Sequence, residues 1–158
     1  MGVAMVLLTG GEPFARKDLP QIIEAFESRG IHVRMQTNGF ASEDQIAAAV
    51  EAGGKDISIS LDSLRPASQD KINGGFDKSW HKAIQTMATF MKYLPREGSF
   101  ASLGCVLQPD NMGDIEDVIR FGTEVSWFTS LVPAHVSDYA HPMGFRTFDQ
   151  RLKFRTNE

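Results

Sequence analysis

Five short runs of strand-like residues recur along the chain, starting near residues 3, 32, 57, 100 and 127, and the segments between them carry helical apolar periodicity. Most of the steps are about the length of one strand, one helix and their loops, so the runs read as successive βα units. That pattern leads to a parallel sheet joined by right-handed crossovers. Strand and helix spacing alone leave open whether the sheet is doubly wound or part of a barrel.

The first run, Val3 to Leu8, is continuously apolar and reads as a strand buried on both faces. It ends at Thr9-Gly10-Gly11-Glu12-Pro13. The paired glycines let a backbone approach a ligand without a Cβ in the way. Glu12 places a carboxylate at the carboxyl end of the strand, where open α/β sheets and barrels hold their ligands. A phosphate would be repelled there, whereas an ammonium group could form a charge-assisted hydrogen bond. The competing reading is that Gly-Gly-Glu-Pro is simply a loop.

Asp18 is placed to cap a helix from Leu19, with Pro20 in its first turn, and Leu19, Ile22, Ile23 and Phe26 share its inner face. Gly30 closes it. The strand His32 to Gln36 follows and ends at Thr37-Asn38-Gly39, where Asn-Gly reads as a turn. Ser42 with Gln45 forms a capping box for a helix to Ala52. Ile57 to Asp62 then alternates strictly, with Ile57, Ile59 and Leu61 on one face and Ser58, Ser60 and Asp62 on the other. In a parallel sheet such a polar row needs a ligand or water to satisfy it.

Leu64 to Gly75 reads as a polar loop. A long helix over Asp77 to Tyr93 has an apolar stripe of Trp80, Ala83, Ile84, Met87, Met91 and Leu94, which is core rather than a cofactor face. The strand Phe100 to Leu107 carries Cys105 as an inert core residue. A loop at Gln108 to Asn111 leads to a helix packed through Ile115, Val118, Ile119 and Gly122, then to a last strand from Trp127 to Val132 ending at Pro133.

Four pieces, in order, resemble the radical S-adenosylmethionine (radical SAM) superfamily: Gly10-Gly11-Glu12-Pro13, Thr37-Asn38-Gly39, Ser58-Ile59-Ser60-Leu61-Asp62 and Leu131-Val132-Pro133. The resemblance spans about residues 3 to 133 and implies a parallel-stranded partial (β/α)6 TIM-like barrel, of which strands two to six are present. It divides the chain into a partial barrel, 1–133, and a tail, 134–158. It implies cofactor-binding roles for Gly10, Gly11 and Glu12 at the methionine ammonium of S-adenosylmethionine. It also implies Thr37 and Asn38 at the rim, Ser60 with Asp62 as a second contact at the ribose, and Val132 beside the adenine.

In the family, a [4Fe-4S] cluster on a C-x-x-x-C-x-x-C motif cleaves S-adenosylmethionine reductively to a 5′-deoxyadenosyl radical. That motif has no counterpart here. With one cysteine, the chain is expected to be a truncated form, to bind no cluster by itself and to be inactive alone. No catalytic residue and no metal ligand is assigned. The alternatives are a non-catalytic binding or assembly module that has lost its cluster, and an unrelated α/β-barrel enzyme acting on an amine-bearing metabolite.

The net charge of −4 does not point to nucleic acid or an anionic membrane. No apolar run has the length of a membrane span, and the N-terminus lacks the positive region of a signal peptide. The expected location is the cytoplasm, and the expected partner is a small-molecule or peptide substrate of unknown identity. The long apolar edge at Val3 to Leu8 is expected to recruit a second copy or to be covered by the tail. In the tail, His135, Asp138 and His141 have metal-ligating side chains but no metal-site spacing, and a loop is the preferred reading. Phe145, Phe148, Leu152 and Phe154 are expected at the barrel rim or a chain contact, and Arg146, Arg151, Lys153 and Arg155 on a solvated face.

Overall fold

A computed structural model describes residues 2–134. The expectations for the tail therefore lie outside the described residues, apart from Ala134. Five strands, β1 (Met5–Leu8), β2 (His32–Thr37), β3 (Asp56–Ser60), β4 (Phe100–Leu107) and β5 (Phe128–Pro133), form one sheet in sequential order. Every neighbouring pair is parallel. A doubly wound sheet reverses its strand order at a switch point. This one never does, so it is an open segment of a (β/α) barrel, as expected.

The helices α1 (Leu19–Glu27), α2 (Glu43–Glu51), α3 (Pro66–Ile72), α4 (Ser79–Tyr93) and α5 (Ile115–Glu124) link the strands, with α3 and α4 sharing the crossover from β3 to β4. The core lies between helices and sheet. Val33 and Met35 of β2, Ile57 and Ile59 of β3, and Leu103 and Cys105 of β4 point into it and meet Ile23, Ile46, Ala83 and Val118. Alternate strand residues face the other way. Pairing on that open face runs Met5 to His32, Arg34 to Asp56, Ser58 to Ser102, Ser60 to Gly104 and Val106 to Val132.

Several local expectations are corrected. Only Met5–Leu8 forms the first strand, and Met5 and Leu7 are about half exposed, so β1 is not buried on both faces. Among the described residues it is an edge strand, and no helix layer lies above its open side. Asp18 stands at the N-cap of α1 but caps nothing, because its carboxylate pairs with Arg16 at 2.7 Å. The supposed polar loop at residues 64–75 contains α3, which starts at Pro66 and has Gln69 fully buried. The stripe on α4 holds at Trp80, Ala83, Ile84, Met87 and Leu94 but not at Met91. Met91 is exposed, while Phe90 is buried and meets Phe14 edge to face at 6.0 Å. Ile119 of α5 is also exposed, and residues 109–114 form a 3-10 turn rather than a loop. The Ser42–Gln45 capping box is present with both of its hydrogen bonds.

The floor of the open face, at the amino ends of the strands, is an ionic and aromatic layer. His32 lies 3.0 Å from Asp56, and Arg34 lies 3.4 Å from the other Asp56 oxygen. The Arg34 guanidinium also donates to Ser102 Oγ and covers the ring of Phe100, which leans on Phe128. These contacts satisfy charges that would otherwise be stranded on a half-buried sheet face.

Candidate functional site

The site is built where β1 and β2 end. After β1 the chain turns at Gly10, whose φ of 124° is natural only for glycine. No protein atom lies within 4 Å of where a Cβ would stand at Gly10 or Gly11, so this backbone is open to a ligand. Glu12 follows in extended conformation and caps the 3-10 turn Pro13–Ala15 by accepting the Phe14 N–H at 3.0 Å. Phe14 is buried against α4, and its carbonyl accepts from Gln45, so the turn is fastened to the core from both sides.

The Glu12 carboxylate reaches across to the end of β2. It accepts the Asn38 N–H at 2.9 Å and the Thr37 hydroxyl at 2.9 Å to each oxygen. It therefore bridges the mouth of the sheet rather than pointing away from it. A carboxylate offers about four acceptor positions. Three internal donors meet it here, and the single Thr37 proton is shared between the two oxygens, so one of its two contacts can give way to a further donor. Thr37 is buried and committed to Glu12, so it orients the carboxylate rather than contacting solvent. The Asn38 side-chain oxygen accepts from Phe40 N–H, which leaves its amide nitrogen without a partner among the described residues.

The pairing of β2 with β3 ends at Thr37 beside Ile59, one residue before Asn38 and Ser60. Ser60 is half-buried on the open face, and its hydroxyl has no partner among the described residues. Val132 is on the same face, 54% exposed and paired with Val106. It is therefore not a core residue.

Asp62 behaves differently. It is 4% exposed, and its carboxylate accepts the Val106 N–H at 2.6 Å. Burial raises its pKa to about 6, against the opposing effect of the Val106 N–H. One of its oxygens thus holds β4 rather than a ligand.

Three rim residues had no signal in the sequence. Gln69 Oε1 accepts the N–H groups of both Asp62 and Ser63. Asn111 donates to the carbonyls of Asp62 and Val106. Asp114 takes Ser63 Oγ and the Arg65 guanidinium. Polar side chains in apparent loops look solvated until the fold buries them.

S-adenosylmethionine, the cofactor implied by the resemblance, fits these residues. The turn is open, one carboxylate contact of Thr37 can give way, and a serine hydroxyl is uncommitted on the adjoining strand. An iron–sulfur cluster does not fit them. The chain's one cysteine, Cys105, is buried in the core, and burial, with the nearby charges of Asp62 and Asp114, pushes its thiol up to about 12. A cluster ligand must instead be a thiolate. Among the described residues no three His, Cys, Asp or Glu side chains converge as a metal site, and no helix is long and apolar enough to cross a membrane.

A family model described as the Radical SAM superfamily matches residues 1–122. A probable GTP 3′,8-cyclase of Methanococcus vannielii is 28% identical over 132 residues, covering 83% of this chain and 42% of that protein. The PqqA peptide cyclase of Rhizobium meliloti is 28% identical over 121 residues, covering 76% and 31%. The chain thus spans less than half the length of these curated relatives. A solved domain of a pyruvate-formate lyase-activating enzyme from Bacteroides vulgatus shares the fold with a TM-score of 0.51 at 16% identity, covering 82% of this chain and 99% of that one.

Proposed function

Since the chain belongs to the radical SAM superfamily, whose members use S-adenosylmethionine and a [4Fe-4S] cluster, we propose that its open rim seats S-adenosylmethionine. The observation that carries this reading is the Glu12 carboxylate, held across the mouth of the sheet by Phe14, Thr37 and Asn38 with one acceptor position that Thr37 can yield. That position suits the methionine ammonium, with the backbone of Gly10 and Gly11 close beside it. Ser60 then hydrogen-bonds the ribose, and Val132 with Val106 gives an apolar bed for the adenine. Asp62 acts from behind by holding Val106 in place.

When bound, S-adenosylmethionine supplies the family's one-electron chemistry. The residues of this chain bind and orient it. No step is assigned to a cluster on this chain, because its single thiol is buried and protonated. That same observation favours a second reading, in which the chain seats the cofactor without cleaving it. The named substrates of the two curated relatives are a nucleotide and a peptide, so cofactor seating is the part of the function that carries across.

The test is titration of S-adenosylmethionine into the wild-type chain and the Ser60→Ala and Glu12→Gln variants. Ser60→Ala breaks no internal hydrogen bond, so it reports on the ligand rather than on the fold. Saturable binding weakened several-fold in both variants supports the proposal. No saturable binding, or binding that ignores both changes, refutes it.

A further inference from the structure

A cavity of about 400 Å³ opens beside this rim, lined by Glu12, Ala15, Asn38, Phe40, Asn73 and Phe76. That volume lies within the usual range for small-molecule sites. None of Ser60, Asp62 or Val132 lines it, so it is a separate chamber that shares only the Glu12 and Asn38 corner with the proposed cofactor seat. Three loops make its walls: the turn after β1, the turn after β2 and the connection between α3 and α4.

The walls are held from behind. Thr86 of α4 donates to the Gly39 carbonyl at 2.6 Å. The Asp70 carboxylate takes the N–H groups of Lys78 and Trp80 together with the Ser79 hydroxyl, which fastens the loop that carries Asn73 and Phe76. On this frame two aromatic rings meet solvent. Phe40 is 39% exposed and Phe76 65% exposed, and their centroids are 6.0 Å apart, edge to face.

The polar atoms on the walls are specific. Asn73 donates one of its two amide hydrogens to Ser79 Oγ, whose own hydrogen goes to Asp70, so the Asn73 oxygen has no donor among the described residues. Asn38 accepts from Phe40 N–H through its oxygen, so its amide nitrogen is left over. The chamber therefore offers a free acceptor at the Asn73 oxygen and a free donor at the Asn38 amide, beside an edge-to-face aromatic pair. Among the described residues no lysine or arginine lines it, and Glu12 stands at one end, which disfavours an anion. A purely aliphatic ligand would leave both carboxamides unsatisfied.

We infer that this chamber binds a planar nitrogen heterocycle with a lactam group, whose ring N–H meets Asn73 and whose carbonyl meets Asn38 while the ring lies against Phe40 and Phe76. Such a ring matches the donor, the acceptor and the aromatic surface together, and stacking on an aromatic side chain is a general means of holding a base.

The probes are inosine, which carries the lactam N–H and carbonyl, and 1-methylinosine, which lacks that N–H. They are titrated calorimetrically into the wild-type chain and the Phe76→Ala, Asn73→Ala and Ser60→Ala variants, with thermal unfolding as the folding control. Inosine should bind saturably, and Phe76→Ala should weaken it by about tenfold. Methylation of the ring nitrogen and Asn73→Ala should each weaken it, and should not add when combined, because both remove the same hydrogen bond. Ser60→Ala should leave inosine unchanged while weakening S-adenosylmethionine, which separates this site from the cofactor seat. If Phe76→Ala does not fold, the methylated probe with Asn73→Ala decides. Absence of saturable inosine binding, equal affinity for the two probes, or loss on Ser60→Ala overturns the inference.

Discussion

The Asp62 carboxylate accepts the backbone N–H of Val106 at 2.6 Å, just past the last ladder pair of β3 and β4, Ser60 with Gly104. A side chain thus replaces a sheet hydrogen bond where the two strands part. This places a buried carboxyl at the rim. Its charge and that of Asp114, which is itself paired with Arg65, both act on the buried thiol of Cys105 on β4.

The raised pKa makes Asp62 a pH-dependent load on the fold. Its folded-state value of about 6 lies above the ordinary 3.8, so the native state holds this proton more tightly than the unfolded chain. The resulting stability is fully present below the unfolded value and disappears as pH rises through about 6. The difference is of order 2–3 kcal/mol. Asp62→Asn keeps an acceptor for Val106 and carries no charge. It should therefore unfold at higher urea than wild type at pH 8, and the advantage should shrink toward pH 5. Equal or lower stability of the variant at pH 8 would contradict the assignment.

Gly39 and Gly11 should respond in opposite ways to alanine. Gly39 has φ 92°, and a Cβ there would lie 2.7 Å from Ala83 Cα on α4. Neither backbone can yield cheaply, so Gly39→Ala is expected to lose at least about 3 kcal/mol of stability or to fail to fold. A Cβ at Gly11 meets nothing within 4 Å. Gly11→Ala should unfold within about 0.5 kcal/mol of wild type, while S-adenosylmethionine affinity falls because the ligand meets the added methyl. Thermal unfolding and cofactor titration of both variants check the pair.

Gln69 is the hidden support of the rim. Its side-chain oxygen takes two buried N–H groups, at 2.8 Å from Asp62 and 2.9 Å from Ser63. Gln69→Leu fills a similar volume but orphans both donors, so it should cost about 2–4 kcal/mol in denaturant unfolding. A near-neutral result would mean that other groups satisfy those amides.

The parts legible in the sequence were those set by local geometry. Alternation at Ile57 to Asp62, the Ser42–Gln45 capping box and the apolar run of β4 depend on neighbours two to four residues apart, and all three have the expected form. Two kinds of error have one cause. Phe90 rather than Met91 faces the core, and residues 66–72 fold as α3, because packing against distant partners decides which side chains of a helix reach the core and whether a polar segment is buried. The site shows the same division. The chemistry of Glu12 and Ser60 could be read residue by residue. That Thr37 orients Glu12, that Asp62 turns to β4, and that Gln69 and Asn111 hold the rim rest on hydrogen bonds between residues 6 to 49 positions apart in the chain. Only the closed three-dimensional packing brings such groups within 3 Å, so no local pattern encodes them.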